Sequence, residues 1–274
     1  MWDEKVSELR VVVDELIKLE DDRKRDKLWL DHARRNKKLR DDMKKYIADK
    51  INRAKAEETA RVKEIEKILK EIKLWDEWLK YVKGVGPKLA GKILSRIDFE
   101  KAKSPSSLWT YCGYAVINGK RTRFQRGEKS IYRPELKSWL HMLGMSFLGY
   151  GNIGEPRAIA NKEPRIDGGY ARLYIRLRRV VDEKHPDWNA TRRFLDARGR
   201  MIKVFLAHMY QVYSWLYNGQ AVLHYAAAYL NKPEFGAHDY VYMPVVDVEE
   251  GDEPTWWREL WDAYREKGIR PVRL

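Results

Sequence analysis

The sequence predicts a mainly α protein, in which a long N-terminal antiparallel helical hairpin or coiled coil precedes a compact helical domain containing a helix-hairpin-helix. Three features predict it. The first 83 of the 274 residues contain neither glycine nor proline. Their apolar residues recur at helical intervals, and segments that alternate apolar and polar residues are scarce in the remainder of the chain.

The clearest stripe is Ile47, Ile51, Ala54, Val62, Ile65, Ile68/Leu69, Ile72, Trp75 and Leu79. An earlier series, Val6, Leu9, Val13 and Leu16, loses phase across the charged "EDDRKRDK". A single rod from Trp2 to Lys83 would measure about 120 Å at the rise of an α-helix. The chain is therefore expected to fold back, at that charged stretch or at "HARRNKK", zipping two helices together within one chain or between two. Residues 1–80 form this stalk, and a homo-oligomer through the N-terminal helices is one expected association.

Glycine, proline and aromatic residues appear from Gly84 onward, the texture of a compact domain. Helices are expected over residues 87–97, 106–112, 134–147, 169–183 and 191–217, with another around 220–230. Between them "YAVINGKRTRFQRG" reads as short extended structure with a turn at Asn118-Gly119. The compact domain is expected to span residues 81–233. Residues 234–274 read as an acidic, Trp-rich tail, with Thr255 as the N-cap of a short helix carrying Trp257, Leu260, Trp261 and Tyr264.

The formal net charge is +14, and its distribution matters more than its sum. Residues 1–83 hold 24 Lys and Arg against 20 Asp and Glu, residues 84–233 hold 26 against 11, and residues 234–274 hold 5 against 10. An anionic partner is thus expected at the middle of the chain. The lone Cys112 forms no internal disulfide, which favours a reducing cytoplasm. The high charged fraction, with three glutamines, fits a heat-adapted protein. No apolar run reaches membrane-spanning length, no secretory or transit segment is visible, and no membrane association is expected.

The first glycines occur in "LKYVKGVGPKLAGKILSRI", residues 79–97. Helix, then Gly84-Val85-Gly86 with Pro87, then helix is the sequence form of a helix-hairpin-helix. Val82 and Val85 are expected to point inward, and Pro87 suits a first helical turn, where its missing N–H is not needed. Backbone amides after the turn would face outward at a positive helix terminus. Lys88, Lys92 and Arg96 follow one another by one turn each, so all three share a face beside that terminus. Such a hairpin would hold DNA by its phosphates without reading bases. In "NGKRTRFQRGEKSIYR" a second cluster, Lys120, Arg121, Arg123, Arg126, Lys129 and Arg133, is interleaved with Phe124 and Tyr132, a composition suited to phosphates and to stacking on exposed bases. Arg172, Arg176 and Arg179 share a helical face that reads as solvated, and His141 and His208 read as core residues. No nucleophile and base, phosphate-cradling loop or carboxylate pair can be assembled from local spacing, so no catalytic residue, metal or cofactor is expected.

From Tyr81 to about Gly149, "YVKGVGPKLAGKIL", "FEKAKSPSSLWTYCGY", "GKRTRFQRG" and "YRPELKSWLHML" together resemble the C-terminal transposase domain of DEDD-type insertion-sequence transposases, the family of guide-RNA-directed recombination. "RRFLDARGRMIKVFLAHMYQVY" looks like the helix that follows in archaeal relatives, extending the likeness to about residue 217. Two departures limit what it implies. The N-terminus is helical where those transposases carry a RuvC-like nuclease domain. The family's serine nucleophile lies beside the glycines of the loop after the G-Y segment, where this chain reads Ile117-Asn118-Gly119, and Ser130 is downstream.

The resemblance therefore implies a non-enzymatic DNA-binding domain separated from its catalytic machinery, in a protein of a plasmid, virus or integrated element. The expected function is binding to DNA without sequence preference, through Gly84, Val85, Gly86, Lys88, Lys92, Arg96 and the basic loop. The alternatives are an accessory recombinase or nuclease with an unrecognised site, and a protein that binds structured RNA.

Overall fold

The computed structural model describes residues 3–35, 40–117, 119–123, 127, 130–151, 156–223 and 240–274. The chain is mainly helical and divides into two compact units. One comprises Met1–Ile72 with Pro87–Arg96, the other Lys73–Gly86 with Ile97–Leu274. Among the described residues no helix is long and apolar enough to cross a membrane.

In the first unit, α1 (Asp3–Arg35) and α2 (Asp41–Leu69) form an antiparallel hairpin within one chain. Its register is recorded by ion pairs of Lys5 with Glu71, Arg61 with Glu15 and Lys50 with Asp26, each at 2.9 Å. The charged stretch "EDDRKRDK" stays helical, with Asp21 paired to Lys24 and Asp22 to Arg25 one turn on. The reversal falls between Arg35 and Asp41, at the second of the two expected places; residues 36–39 of it lie outside the described residues. Both apolar series turn inward: Val6, Leu9, Val13 and Leu16 are buried, as are Ile65, Ile68 and Leu69, while Leu30, Ile47 and Ile51 make a cluster of their own.

A third helix, α4 (Pro87–Leu94), packs on both arms. Gly91 permits the approach: a Cβ there would lie 2.5 Å from Ile65 Cγ2 and 3.6 Å from Leu9 Cδ1. Ala90, Ile93 and Leu94 are buried in consequence. The unit boundaries therefore differ from a cut near residue 80. The second helix of the expected helix-hairpin-helix groups with the stalk, because the stalk covers its apolar face.

The second unit contains α3 (Lys73–Asp76), a 3-10 turn at Leu79–Tyr81, α5 (Pro105–Tyr111), strands β1 (Val116–Ile117) and β2 (Lys120–Arg121), α6 (Pro134–Ser146), α7 (Pro156–Ile159) and α8 (Gly169–Lys184). These are followed by α9 (Ala190–Asn218), β3 (Tyr240–Tyr242), α10 (Thr255–Glu266) and β4 (Arg270–Val272). The first two strands pair antiparallel and the last two parallel, Tyr240 opposite Arg270. At the centre runs α9, in contact with α3, α5, α6, α7, α8 and α10 and buried from Met201 to Ser214 along most of its surface. Phe205 of α9 meets Trp78 at 5.7 Å, Phe147 at 5.2 Å and Tyr170 at 5.5 Å between ring centroids, which locks the aromatic core. His208 is buried there with its Nδ1 2.9 Å from the Tyr170 hydroxyl.

Most expected helices appear within one to three residues of their predicted ends. The helix expected around residues 220–230 is not seen over 220–223, which have no regular structure; residues 224–230 lie outside the described residues, as does Asn118 of the expected turn. The C-terminal segment is no loose tail. Trp257 Nε1 donates to the Pro244 carbonyl at 2.8 Å and Trp256 Nε1 to the Glu77 carbonyl at 2.6 Å, while the Asp247 carboxylate accepts from the amides of Lys83 and Gly169 at 2.7 Å each. Pro254, not Thr255, is the N-cap of α10, without a side-chain cap.

Gly91→Ala is expected to lower the stability of the first unit by about 1 kcal/mol. The helix propensity gained, about 1 kcal/mol, is exceeded by overpacking against Ile65, typically about 1–3 kcal/mol. Thermal melts of the two proteins measure the difference.

Candidate nucleic-acid interface

The turn has the tight backbone expected of it, but a 3-10 turn at Leu79–Tyr81 stands before it where a helix was expected. Gly84 adopts a φ of +93°, and the Val85 amide donates to the Val82 carbonyl at 3.1 Å. Its tightness also serves packing within the second unit: a Cβ on Gly84 would lie 2.9 Å from the Ser146 carbonyl oxygen, and the Ser146 hydroxyl donates to the Gly84 carbonyl at 2.6 Å. Val82 is buried as expected, and Val85 is half-buried.

The three hairpin cations, by contrast, are engaged by acids of the first unit. Lys92 is only 4% exposed, and its ammonium donates to Glu20. Lys88 pairs with the same Glu20 carboxylate and lies 4.0 Å from Glu58, which Arg23 also grips. Arg96 pairs with Asp14. Burial pulls the Lys92 ammonium below its ordinary value. It pushes the Glu20 carboxyl up, but hydrogen bonds from Lys88 and Lys92 outweigh that and hold Glu20 below the usual carboxylate range. The shared helical face was read correctly from spacing. Spacing could not show that the face is turned to the carboxylates of α1 and α2.

A concave positive surface lies instead wholly within the second unit, a groove of about 1190 Å³ between the β1–β2 hairpin and the first turns of α9. Arg121 and Arg123 of the expected basic loop line it, joined by Lys137 of α6, Arg157 of α7, and Arg192, Arg200 and Lys203 of α9. Among the described residues in its wall these seven cations face one carboxylate, Asp196. Arg121 and Arg200 both bind that carboxylate, Arg200 at 2.7 Å. Crowding of positive charge is visible at Lys137, whose ammonium is pulled down first by burial and then by Arg121 and Arg123. Low-dielectric walls around like charges focus a positive potential in the groove.

Local structure aims these side chains. Asn189 caps α9, its side chain accepting from the Arg192 amide at 2.9 Å, so the helix starts at the groove's edge. Arg192, Asp196, Arg200 and Lys203 then follow at steps of three and four and make one stripe, with Gly199 beside it. Arg192 stacks over the Trp188 ring, 3.8 Å from its centroid, and Lys203 lies over Trp109 at 4.3 Å. The sequence reading placed the helix but passed over this stripe, whose signal was the spacing of Arg192, Arg200 and Lys203. Arg157 and Lys137 carried no local signal, since they come from separate helices.

Other loop residues fall elsewhere. Arg133 pairs with Glu135 at 3.4 Å and sits over Tyr111, and Lys120 pairs with Ile117 in the strand ladder. Arg126, Lys129 and Phe124 lie outside the described residues. Tyr132, expected to stack on bases, is buried, with Lys137 over its ring at 4.7 Å. Arg172, Arg176 and Arg179 are exposed, the solvated face expected of them. His141 takes the half-buried place expected of a core residue, against the guanidinium of Arg198, itself 5% exposed. Burial first, and Arg198 second, lower its pKa from 6.5 to about 4. Cys112 is buried, and burial alone pushes its thiol far up. Among the described residues no group of three His, Cys, Asp or Glu side chains gathers closely enough to hold a metal ion.

No protein-family model matches the chain, and no curated protein or solved structure matches it significantly.

Lys92→Ala leaves the buried Glu20 with one cation in place of two. It is expected to destabilise the first unit by about 3 kcal/mol, the order of cost of breaking a buried pair, seen as an earlier thermal transition. His141 gives a pH dependence. Its folded-state pKa lies below the unfolded value, so protonation favours the unfolded chain. The stability of the second unit should fall as pH drops from 6.5 towards about 4. Urea midpoints at several pH values check this, and His141→Leu should flatten the dependence over that range.

Proposed function

We propose that this chain binds duplex DNA by its phosphate backbone, with little regard to sequence, through the cationic groove of the second unit. The observation that carries the reading is the groove's composition: among the described residues of its wall, seven cations stand against a single carboxylate, itself already bound by two arginines. Such a site is stabilised by a polyanion, which releases counterions as it binds. Phosphate contacts of this kind set position without reading bases.

A transposase-like origin in a mobile element is part of the same proposal. What supports it is that the segments carrying the resemblance contribute to one surface: Gly113 and Tyr114 from the G-Y segment, Arg121 and Arg123 from the loop, Lys137 from the Leu-rich helix, and Arg192 and Arg200 from the helix after it. Binding rather than cleavage is the activity proposed, because the one acid among the described residues of the groove wall is bound by arginines instead of being free to act on a phosphodiester. The hairpin is left a structural role, since Lys88, Lys92 and Arg96 already have carboxylate partners.

Anisotropy titrations of a labelled duplex at several salt concentrations test the proposal. If about five phosphates are contacted, log K should fall against log salt with a slope of roughly −4.5. Arg123→Ala and Arg192→Ala should each flatten that slope by about one unit. Lys88→Ala should leave it unchanged, and a loss of slope in that variant alone would return the grip to the hairpin. Structured RNA that displaces the duplex at equal concentration would shift the assignment to RNA. Binding that is independent of salt would overturn it.

A further inference from the structure

We propose that the β1–β2 hairpin is an apolar blade that enters the base stack of the duplex whose phosphates occupy the groove, so that the protein prefers DNA whose stacking is already weakened by a mismatch. The proposal rests on the groove reading above and adds to it a structural preference that phosphate contacts alone do not supply.

Exposure is the first observation. Val116 and Ile117 are 52% and 46% exposed, although most large aliphatic side chains of the second unit are buried. Of the four large hydrophobic side chains that the described part of this unit leaves exposed, Val116, Ile117 and Ile131 fall in the basic loop region and only Val180 lies elsewhere. Solvent-exposed aliphatic residues concentrated beside a charged site mark a surface that meets something apolar.

Geometry is the second. Val116 pairs with Arg121 and Ile117 with Lys120, and successive strand residues point to opposite faces. Val116 and Arg121 line the groove together, so Ile117 occupies the opposite face. The hairpin is thus one ladder thick, with an aliphatic side chain on each side. At the turn Gly119, at a φ of +72°, has no described atom within 4 Å of the place a Cβ would take, its chain neighbours aside.

Charge complementarity identifies the occupant. Arg121, within the hairpin, and Arg123 just beyond it line the groove beside Val116, so a strand whose phosphates they held would bring its bases close to the hairpin. An apolar peptide would have no use for those cations. Bases are the apolar surface that always accompanies phosphates. Aliphatic wedges enter base steps at a cost of a few kcal/mol of lost stacking, and a mismatch reduces that cost.

The test uses the full chain and two duplexes of equal length that differ only by one central mismatch, with 2-aminopurine beside it. The mismatched duplex should bind about tenfold tighter, and 2-aminopurine in the paired duplex should brighten on binding as it leaves the stack. In Val116→Ser/Ile117→Ser the preference should shrink to about twofold or less, whereas Ile117→Leu should retain it. Equal affinity for both duplexes with a steep salt slope would overturn the blade and leave the groove standing. Absence of salt-dependent binding to either duplex would overturn both. A serine double variant that still discriminates tenfold would also overturn the blade.

Discussion

The second unit depends on the burial of α9. The helix contacts six other helices and the aromatic cluster around Phe205, and from Met201 to Ser214 most of its surface is buried, a large favourable apolar contribution to the unit. Its first turns keep a face open, and there Arg192, Arg200 and Lys203 line the groove. One helix therefore serves as both core and scaffold. The buried part fixes the axis, and the axis sets the spacing of the charges. A rigid helix is a more accurate mount for them than a loop.

Positive charge is also carried into the interior, and its cost is visible. Arg198, one residue before Gly199 of the groove wall, is buried beside His141, and that imidazole is kept neutral by burial and by the guanidinium. Lys137 is held near Arg121 and Arg123 with its charge disfavoured. These groups oppose folding in the absence of an anion. The apolar core offsets them, and a bound polyanion would relieve them.

In the first unit the polar contacts act differently. Glu20, Lys88, Lys92, Glu58 and Arg23 form a partly buried network between α4 and the two long helices. Desolvation cancels much of the attraction in such a network, so its net contribution to stability is small. We read its role as specification: Gly91 allows α4 close to Ile65 and Leu9, and the carboxylate of Glu20 selects the rotation at which Lys92 is satisfied.

Periodicity determined the helical class, the inward faces of Val6, Leu9, Val13 and Leu16 and of Ile65 and Leu69, and most helix ends, because these follow from local spacing, whereas closure of the two helices within one chain rather than between two was decided by tertiary structure. The concentration of positive charge in residues 84–233 was equally legible, since charge is additive along a chain. Which cations share a surface was not. Lys88, Lys92 and Arg96 carry the same local signal as Arg192, Arg200 and Lys203, yet the first set faces the acids of α1 and α2 and the second faces a groove. That choice belongs to tertiary structure, because the electrostatic environment of a side chain is set by what packs opposite it, and the residues opposite are distant in sequence.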